Sequence, residues 1–279
     1  MNISEAKEEI LKLYLKSLKI ETSDYYKHPV RLVQAVKSII GINTDKPVED
    51  LLFYCSSYIE KFEAKDNCLS KEFSEIPLMV SYKKLEEGLL NKDIEVAATA
   101  LAELKTVSEG SQIFEFFIEY SLKHSKESLV LIWSIYRMSF FSDRKFMDQE
   151  LMLCANSLIE SPKTMDFHNV HLGLIKENIN YIDIYHVINS VYYSNTVRID
   201  KMREYILSSS IYNESEISNF DYKSRNFLWE HINSLKLEDL CIENILKIDG
   251  FRAVMKIIED QKMNPEKFHS IIRKYREFL

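Results

Sequence analysis

Three histidines have a spacing that suits metal ligands. His168 and His171 are three positions apart, so a helix would carry both on one face, and an adjacent antiparallel helix could bring His186 towards them. Asp166 and Asp183 are close in sequence, and imidazole and carboxylate groups are ligands that Zn and Fe accept. The pattern therefore predicts a divalent metal site or an acid–base site. Chance is the rival explanation, because one His-x-x-His pair is unsurprising among seven histidines in 279 residues.

Aromatic residues accompany these histidines. Tyr181 and Tyr185 are four positions apart and close to His186, and we predict them as binding residues on one helix face. Two consecutive predicted helices are also rich in rings, namely Phe114, Phe116, Phe117, Tyr120, Trp133, Tyr136, Phe140 and Phe141. Most of these rings are expected in the core, and the rest could line an apolar groove for a ligand or a peptide helix.

The last predicted helix is locally basic. Lys267, Arg273 and Lys274 are its predicted binding residues, and they could contact phosphates or an acidic partner. The rival explanation is an ordinary exposed face with cations near a helix C-terminus. The net charge of −7 argues against a surface wholly devoted to nucleic acid, so nucleic-acid binding is the least favoured function.

Local signatures of common enzymes are missing from the sequence. It contains no Gly-x-Gly-x-x-Gly, no phosphate-binding Gly-x-x-x-x-Gly-Lys-[Ser/Thr], no His-Glu-x-x-His and no Gly-x-Ser-x-Gly. The four cysteines, Cys55, Cys68, Cys154 and Cys241, have no Cys-x-x-Cys spacing and are predicted to be buried free thiols. We therefore predict no cofactor, with a divalent metal such as Zn or Fe as the alternative.

The composition favours an all-α protein. The chain has only five Gly and five Pro, which are too few for an architecture of β-hairpins. In the segment from Ser128 to Phe141 nearly every face is apolar and Arg137 carries the only charge. A helix of this kind must be covered on most sides, so we predict that it is the central element of a helical assembly.

The other helices are predicted from apolar periodicity and end signals. Asn2 with Glu5 indicates a capping box for a helix over 3–19, and Pro29 and Gly41 frame a second helix. A third begins at Pro47 and continues through Phe62. Further helices are predicted over 78–90, 93–107, 111–123, 126–141, 144–160, 165–176, 180–193, 197–209, 221–233, 236–247, 250–261 and 265–278. We predict N-terminal helices over 1–66 packed on a main domain of 78–279, with one continuous domain over 1–279 as the alternative.

The predicted pair over 78–107 resembles a HEAT-type repeat. The resemblance rests on Leu85, Leu89, Leu90, Asn91, Asp93, Val96, Ala97, Ala100, Leu101 and Leu104, an Asp-containing turn followed by a helix with paired alanines on its packing face. It implies an α-solenoid, in which helix pairs stack into a superhelix with a long binding surface. Ala97 departs from the family pattern, which commonly has Arg there. We predict an irregular α-solenoid or superhelical stack of antiparallel helix pairs, with a compact helical bundle as the alternative.

Two classes of function follow. The first is a noncatalytic helical scaffold that binds a protein or peptide. The second is an all-helical enzyme or small-molecule binder with an apolar pocket lined by Tyr and His and containing a metal. The segment from Met1 to Glu9 lacks the layout of a signal peptide, and no apolar run of about 18 residues follows it. We therefore expect a cytoplasmic protein without a membrane segment, and the sequence predicts no oligomeric state.

Overall fold

The fold is built from α-helices. The computed structural model describes residues 1–65, 80–161 and 240–261 and the single positions 187, 190, 234 and 238. Nine helices have described bounds: α1 Ile3–Ser17, α2 Pro29–Ile40, α3 Glu49–Ile59, α4 Tyr82–Leu90, α5 Ile94–Lys105, α6 Ser111–His124, α7 Lys126–Phe141, α8 Met147–Glu160 and α9 Ile242–Gln261. A 3-10 turn, Tyr25–Lys27, precedes α2. These residues contain no strand, and one antiparallel bridge between Ile20 and Ala64 is their sole β pairing, so the all-α prediction is confirmed.

Helices α1 and α2 begin where the sequence predicts, and α2 also ends there, whereas α1 ends at Ser17 and not at residue 19. The Asn2 side chain accepts a hydrogen bond from the Glu5 amide, and the Glu5 carboxylate accepts one from the Asn2 amide, which completes the predicted capping box of α1. Pro29 is the first residue of α2, where its missing N–H leaves no helical hydrogen bond unmade. Gly41 caps the other end with an ordinary right-handed backbone, φ −66°. Local chemistry therefore sets these helix ends.

The centre of the fold is shared by α7 and α2. Leu129 through Ile132 are fully buried and Trp133 is 6% exposed, because α2, α6, α8 and the 3-10 turn cover α7. The predicted central position of α7 is thus confirmed. Almost every residue of α2 is buried as well, since α1, α3, α7 and α9 surround it. The sequence prediction did not give α2 this second central role.

Several helix ends differ from the sequence prediction, among them the start of α4, which is Tyr82 and not residue 78. Helix α3 begins at Glu49, and Pro47 lies in the preceding loop. Helix α8 begins at Met147, because Asp143 and Arg144 have positive φ values of 52° and 59° and reverse the chain after α7. Helix α9 continues through the break predicted at residues 248–249, since Asp249 is a buried helical residue with side-chain partners.

The N-terminal helices contact the rest of the described chain through polar groups as well as apolar ones. The Tyr25 hydroxyl donates to Oε2 of Glu160 over 3.1 Å, and the Lys27 ammonium pairs with the Glu243 carboxylate. The division into 1–66 and 78–279 stays a prediction, as does the choice between a superhelical stack and a bundle. No described helix is long and apolar enough to cross a membrane.

Helices α4 and α5, which carry the HEAT resemblance, form a tight antiparallel hairpin. Leu85, Leu89, Ala97 and Leu101 are buried in it. A Cβ atom at Gly88 would lie 2.7 Å from the backbone nitrogen of Ala97, so the two backbones meet closely at this glycine. The membership of a repeat family itself stays a prediction.

Candidate functional site

The residues predicted from the sequence to carry function lie outside the part of the chain that the structure describes. They are the metal-site residues His168, His171 and His186 and the binding residues Tyr181, Tyr185, Lys267, Arg273 and Lys274. Their roles stay predictions. Within residues 1–65, 80–161 and 240–261, no three His, Cys, Asp or Glu side chains are grouped to hold a metal ion.

The rings of α6 and α7 pack mainly in the core, as predicted. Phe114 and Phe117 are buried, and Trp133 stacks on Tyr136 with ring centroids 5.5 Å apart. Phe140 is the exception, because 51% of it is exposed on the last turn of α7. These rings therefore leave one aromatic side chain at the surface for contact with other molecules.

The surroundings of Phe140 hold it in place. The ring of Tyr136 meets that of Phe140 edge-on with centroids 4.9 Å apart, and the Arg144 guanidinium lies 5.6 Å from the Phe140 centroid. Arg144 Nη1 in turn donates to the Glu109 carbonyl over 2.9 Å. We call Tyr136, Phe140 and Arg144 the α7 end surface. It places an aromatic ring beside a cation, and that cation also pairs with the exposed Glu109 carboxylate, with Arg144 Nη1 3.6 Å from Glu109 Oε2.

A second cluster lies where α2, α7 and α9 meet. It consists of Lys37 from α2, Arg137 from α7 and Asp249 and Arg252 from α9, and we call it the cationic junction. Asp249 is buried, and the other three side chains are partly buried. Because three cations surround one carboxylate, positive charge is in excess within this cluster.

Hydrogen bonds fix the carboxylate of the cationic junction. Asp249 Oδ1 accepts from Arg252 Nε over 2.7 Å, and Oδ2 accepts from Gln34 Nε2 over 3.2 Å. Gln34 Nε2 also donates to Ser38 Oγ over 2.8 Å. The Nη2 atom of Arg252 is buried and has no hydrogen-bond partner among the described residues. The carboxylate is thus occupied, while one buried donor of the guanidinium has no acceptor among the described residues.

Burial and mutual repulsion disfavour the charged forms of Lys37 and Arg137 in the cationic junction. The pKa of Lys37 is lowered to about 7 by burial and by repulsion from Arg137, Arg252 and Lys256, against which Asp249 provides partial compensation. Burial and repulsion from Arg252 likewise lower the pKa of Arg137, which stays charged. A bound anion would relieve both repulsions.

The sequence offered one signal for the cationic junction. Arg137 is the only charge in the apolar segment from Ser128 to Phe141, and a lone charge in a central helix must find partners or solvent. Its companions Lys37 and Arg252 come from distant parts of the chain, so no local spacing connects the three.

A third polar group is buried between α1 and α8. Glu150 has no exposed surface, and its Oε1 accepts a 2.8 Å hydrogen bond from the Tyr14 hydroxyl. Burial raises the pKa of Glu150 to about 7, and the hydroxyls of Tyr14, Ser139 and Ser142 oppose that rise. A carboxyl without exposure cannot meet a substrate in this conformation, so Glu150 acts on the stability of the fold.

Other polar residues have structural roles. His28 caps α2, since its Nδ1 accepts from the Val30 amide over 3.2 Å. Glu115 and Glu119 are partly buried on α6, and burial raises the pKa of Glu119. His124 stacks on Tyr120 at the end of α6, with centroids 4.3 Å apart.

Two of the four cysteines are confirmed as buried free thiols. Cys55 and Cys154 are fully buried, and burial raises the pKa of each thiol, which makes both poor nucleophiles. Cys241 is a partly buried free thiol, and Cys68 lies outside the described residues.

Comparison of the chain with protein-family models, with curated proteins and with solved structures found no match. Its function is therefore inferred from its own residues.

Proposed function

We propose that the protein is a noncatalytic helical scaffold that binds a protein or peptide partner, and that the α7 end surface contacts this partner. The observation that supports the proposal is the half-exposed ring of Phe140, held between Tyr136 and the Arg144 guanidinium. Aromatic residues and arginine are enriched in the centres of protein interfaces.

The geometry reduces the entropy cost of binding at this surface. Phe140 is on a helix whose other faces are buried, and Arg144 is anchored by the Glu109 carbonyl, so few side-chain rotations remain to be lost. Covering the exposed half of a phenylalanine contributes about 1 kcal/mol, and an aromatic or acidic group over Arg144 would add to it. The expected partner segment is therefore an apolar one with an acidic residue beside it.

The test is a selection of displayed peptides against the immobilised full-length chain. Enriched peptides are then titrated by fluorescence anisotropy against the wild type, Phe140→Ala and Phe53→Ala. Phe53 on α3 is 63% exposed and provides a matched control, since the same substitution removes an exposed ring elsewhere. We expect Phe140→Ala to weaken binding about tenfold, equivalent to about 1.4 kcal/mol, and Phe53→Ala to leave it unchanged.

Two results would contradict the proposal. One is a selection that enriches no peptide, and the other is an equal loss of affinity in both variants, since that would place the contact elsewhere. The metal pocket at His168, His171 and His186, the nucleic-acid contact through Lys267, Arg273 and Lys274, and the cytoplasmic location stay predictions from the sequence.

A further inference from the structure

We propose that the cationic junction is a binding site for a phosphate group or another doubly charged tetrahedral oxyanion. The inference is separate from the proposed scaffold function, because it concerns residues of α2, α7 and α9 and a different class of ligand. Lys37, Arg137 and Arg252 would supply the positive charge, and Asp249 would hold Arg252 in position.

Charge balance selects the ligand class. When Lys37 is protonated, Lys37, Arg137 and Arg252 bring three positive charges to the cationic junction, and the exposed Lys256 adds repulsion from outside it. Asp249 is the carboxylate that acts on Lys37 and Arg137 from the described residues. Two positive charges are then in excess in a partly buried region, where an uncompensated charge is costly. A doubly charged oxyanion neutralises this excess, whereas a single carboxylate would neutralise half of it.

The hydrogen-bond donors suit an oxyanion as well. Asp249 engages Nε of Arg252 and leaves its buried Nη2 without a partner. A guanidinium donates in a fixed planar fork, and phosphate oxygens are among the acceptors that match it. Because Asp249 is also held by Gln34 Nε2, the Arg252 side chain is positioned before any ligand arrives.

Lys37 provides a second hydrogen-bond donor, and its protonation is expected to increase when an anion binds. Its ammonium lies 5.5 Å from the centroid of the Phe141 ring, and burial together with the neighbouring cations lowers its pKa to about 7. An anion beside Lys37 would favour the charged ammonium and raise this pKa again. Binding is therefore expected to draw a proton onto Lys37 near neutral pH.

The cationic junction is open to solvent on one side. Lys37, Arg137 and Phe141 are partly exposed, and the Arg252 side chain is 13% exposed. The exposed Lys7 places its ammonium 5.7 Å from the centroid of the same Phe141 ring that Lys37 contacts. An anion can therefore meet Lys37 and Arg137 from solvent, with Lys7 nearby to attract it, whereas contact with the buried Nη2 of Arg252 requires that side chain to move.

Calorimetric titration of the full-length chain at low ionic strength tests the proposal, with sulfate and inorganic phosphate as separate probes. Sulfate is included because its charge is constant near neutral pH. We expect saturable millimolar or tighter binding to the wild type, weakened at least about tenfold by Lys37→Met and by Arg137→Met. Lys84→Met is the matched control, since it removes a partly buried lysine of α4 that pairs with Glu103 outside the cationic junction, and it should leave the affinity unchanged.

Thermal unfolding without ligand separates a binding role from a structural one. Lys37→Met removes a disfavoured charge, so its unfolding midpoint should equal or exceed that of the wild type while oxyanion binding is lost. A lower midpoint for Lys37→Met together with unchanged sulfate binding would overturn the proposal. Because Lys37→Met is expected to fold, the test does not depend on Arg137→Met remaining folded.

A third experiment distinguishes a phosphorylated protein from a free anion as the source of the phosphate group. Peptides with and without one phosphoserine are compared with inorganic phosphate on the wild type and on Lys37→Met. A phosphopeptide that binds more tightly than phosphate, through Lys37, indicates a phosphorylated protein, and equal affinities indicate a small free anion. Either result supports the site. Absence of saturable binding by every probe, or an equal loss in Lys84→Met and Lys37→Met, would refute it.

Discussion

The Tyr14 hydroxyl donates a 2.8 Å hydrogen bond to Oε1 of Glu150 and so joins α1 to α8 inside the protein. Neither residue has any exposed surface. Burial raises the pKa of Glu150 to about 7 because the surrounding hydroxyls compensate the lost hydration of the carboxylate only in part. The docking of the first helix therefore depends on the protonation of a residue far along the chain.

Glu150→Gln is expected to remove a pH dependence of stability. The pKa of Glu150 is raised from its ordinary value of 4.5 to about 7 in the folded protein, so the folded state binds the extra proton between these values. The contribution of Glu150 to the stability of the fold is complete below pH 4.5 and is lost as the pH rises through about 7. This loss lowers the free energy of unfolding by roughly 3 kcal/mol. Urea denaturation from pH 4 to pH 8 measures it.

The glutamine variant keeps an oxygen that accepts from Tyr14 but does not titrate. It should be more stable than the wild type at pH 8 and show a flatter pH profile. Glu119→Gln is a control on a partly buried carboxylate of α6, whose smaller pKa shift should leave the profile nearly unchanged. Parallel profiles for the wild type and Glu150→Gln would show that Glu150 is not the titrating group.

His28 is expected to contribute stability with the opposite pH dependence. Its Nε2 donates to the Ile20 carbonyl over 3.1 Å while Nδ1 accepts from Val30, so the ring is neutral, and burial lowers its pKa to about 4. The contribution of His28 is complete above pH 6.5 and is lost as the pH falls through about 4. His28→Ala should cost about 2 kcal/mol or more at pH 7, because a helix cap and a buried ring are both lost.

His28→Asn is the control for the cap of α2. An asparagine can accept from the Val30 amide but cannot also reach Ile20, so its loss of stability at pH 7 should be smaller than that of alanine. Below about pH 4 the wild type and both variants should converge in stability. Equal stability of the wild type and His28→Ala at pH 7 would rule out the capping role.

Local signals in the sequence were sufficient for those parts of the fold that depend on neighbouring residues. The capping box of Asn2 and Glu5 and the proline at the start of α2 act within one helical turn, and the apolar segment of α7 required burial whatever covered it. The continuous helix α9 was not predicted because Asp249 and Gly250 resemble a helix stop. Asp249 is instead satisfied by Gln34, which is 215 positions away, and no local rule contains that contact.

The candidate sites depend even more on contacts between distant parts of the chain, which local sequence rules do not contain. The half-exposed Phe140 belongs to a ring-rich helix that the sequence singled out, but which of its rings reaches solvent depends on the packing of α2, α6 and α8. The cationic junction combines residues of three helices, and only Arg137 was conspicuous beforehand. Spacing in the sequence can detect only groups of residues on one helix or on adjacent helices. It therefore favoured the histidine cluster, which lies outside the described residues.

Gly88→Ala is expected to destabilise the hairpin of α4 and α5. In an exposed helix this change would stabilise by about 1 kcal/mol, since alanine is the better helix former. At Gly88 the new Cβ would lie 2.7 Å from the nitrogen and 3.0 Å from the Cα of Ala97, and neither backbone atom can rotate away. Overpacking of this kind costs about 1–3 kcal/mol and should outweigh the gain in helix propensity. Chemical denaturation should therefore give a lower free energy of unfolding for Gly88→Ala than for the wild type.

A second substitution identifies the atoms responsible. Ala97→Gly removes a methyl group but leaves the backbone of Ala97 in place, so it should not rescue Gly88→Ala. Rescue would mean that the side chain of Ala97 causes the strain, and stabilisation by Gly88→Ala alone would mean that the two helices can separate at little cost.

Metal analysis is expected to decide between the noncatalytic scaffold and the alternative, which is an enzyme or small-molecule binder with a metal in a pocket lined by Tyr and His. If His168, His171 and His186 are ligands, the purified protein should retain about one equivalent of Zn or Fe after dialysis, and His168→Ala combined with His171→Ala should abolish it, because two of the three imidazoles are lost. His124→Ala is the control, since His124 stacks on Tyr120 and belongs to no metal-ligand group among the described residues. Metal retained by the double variant, or no metal bound by the wild type after incubation with Zn, would eliminate the histidine site and favour the noncatalytic scaffold.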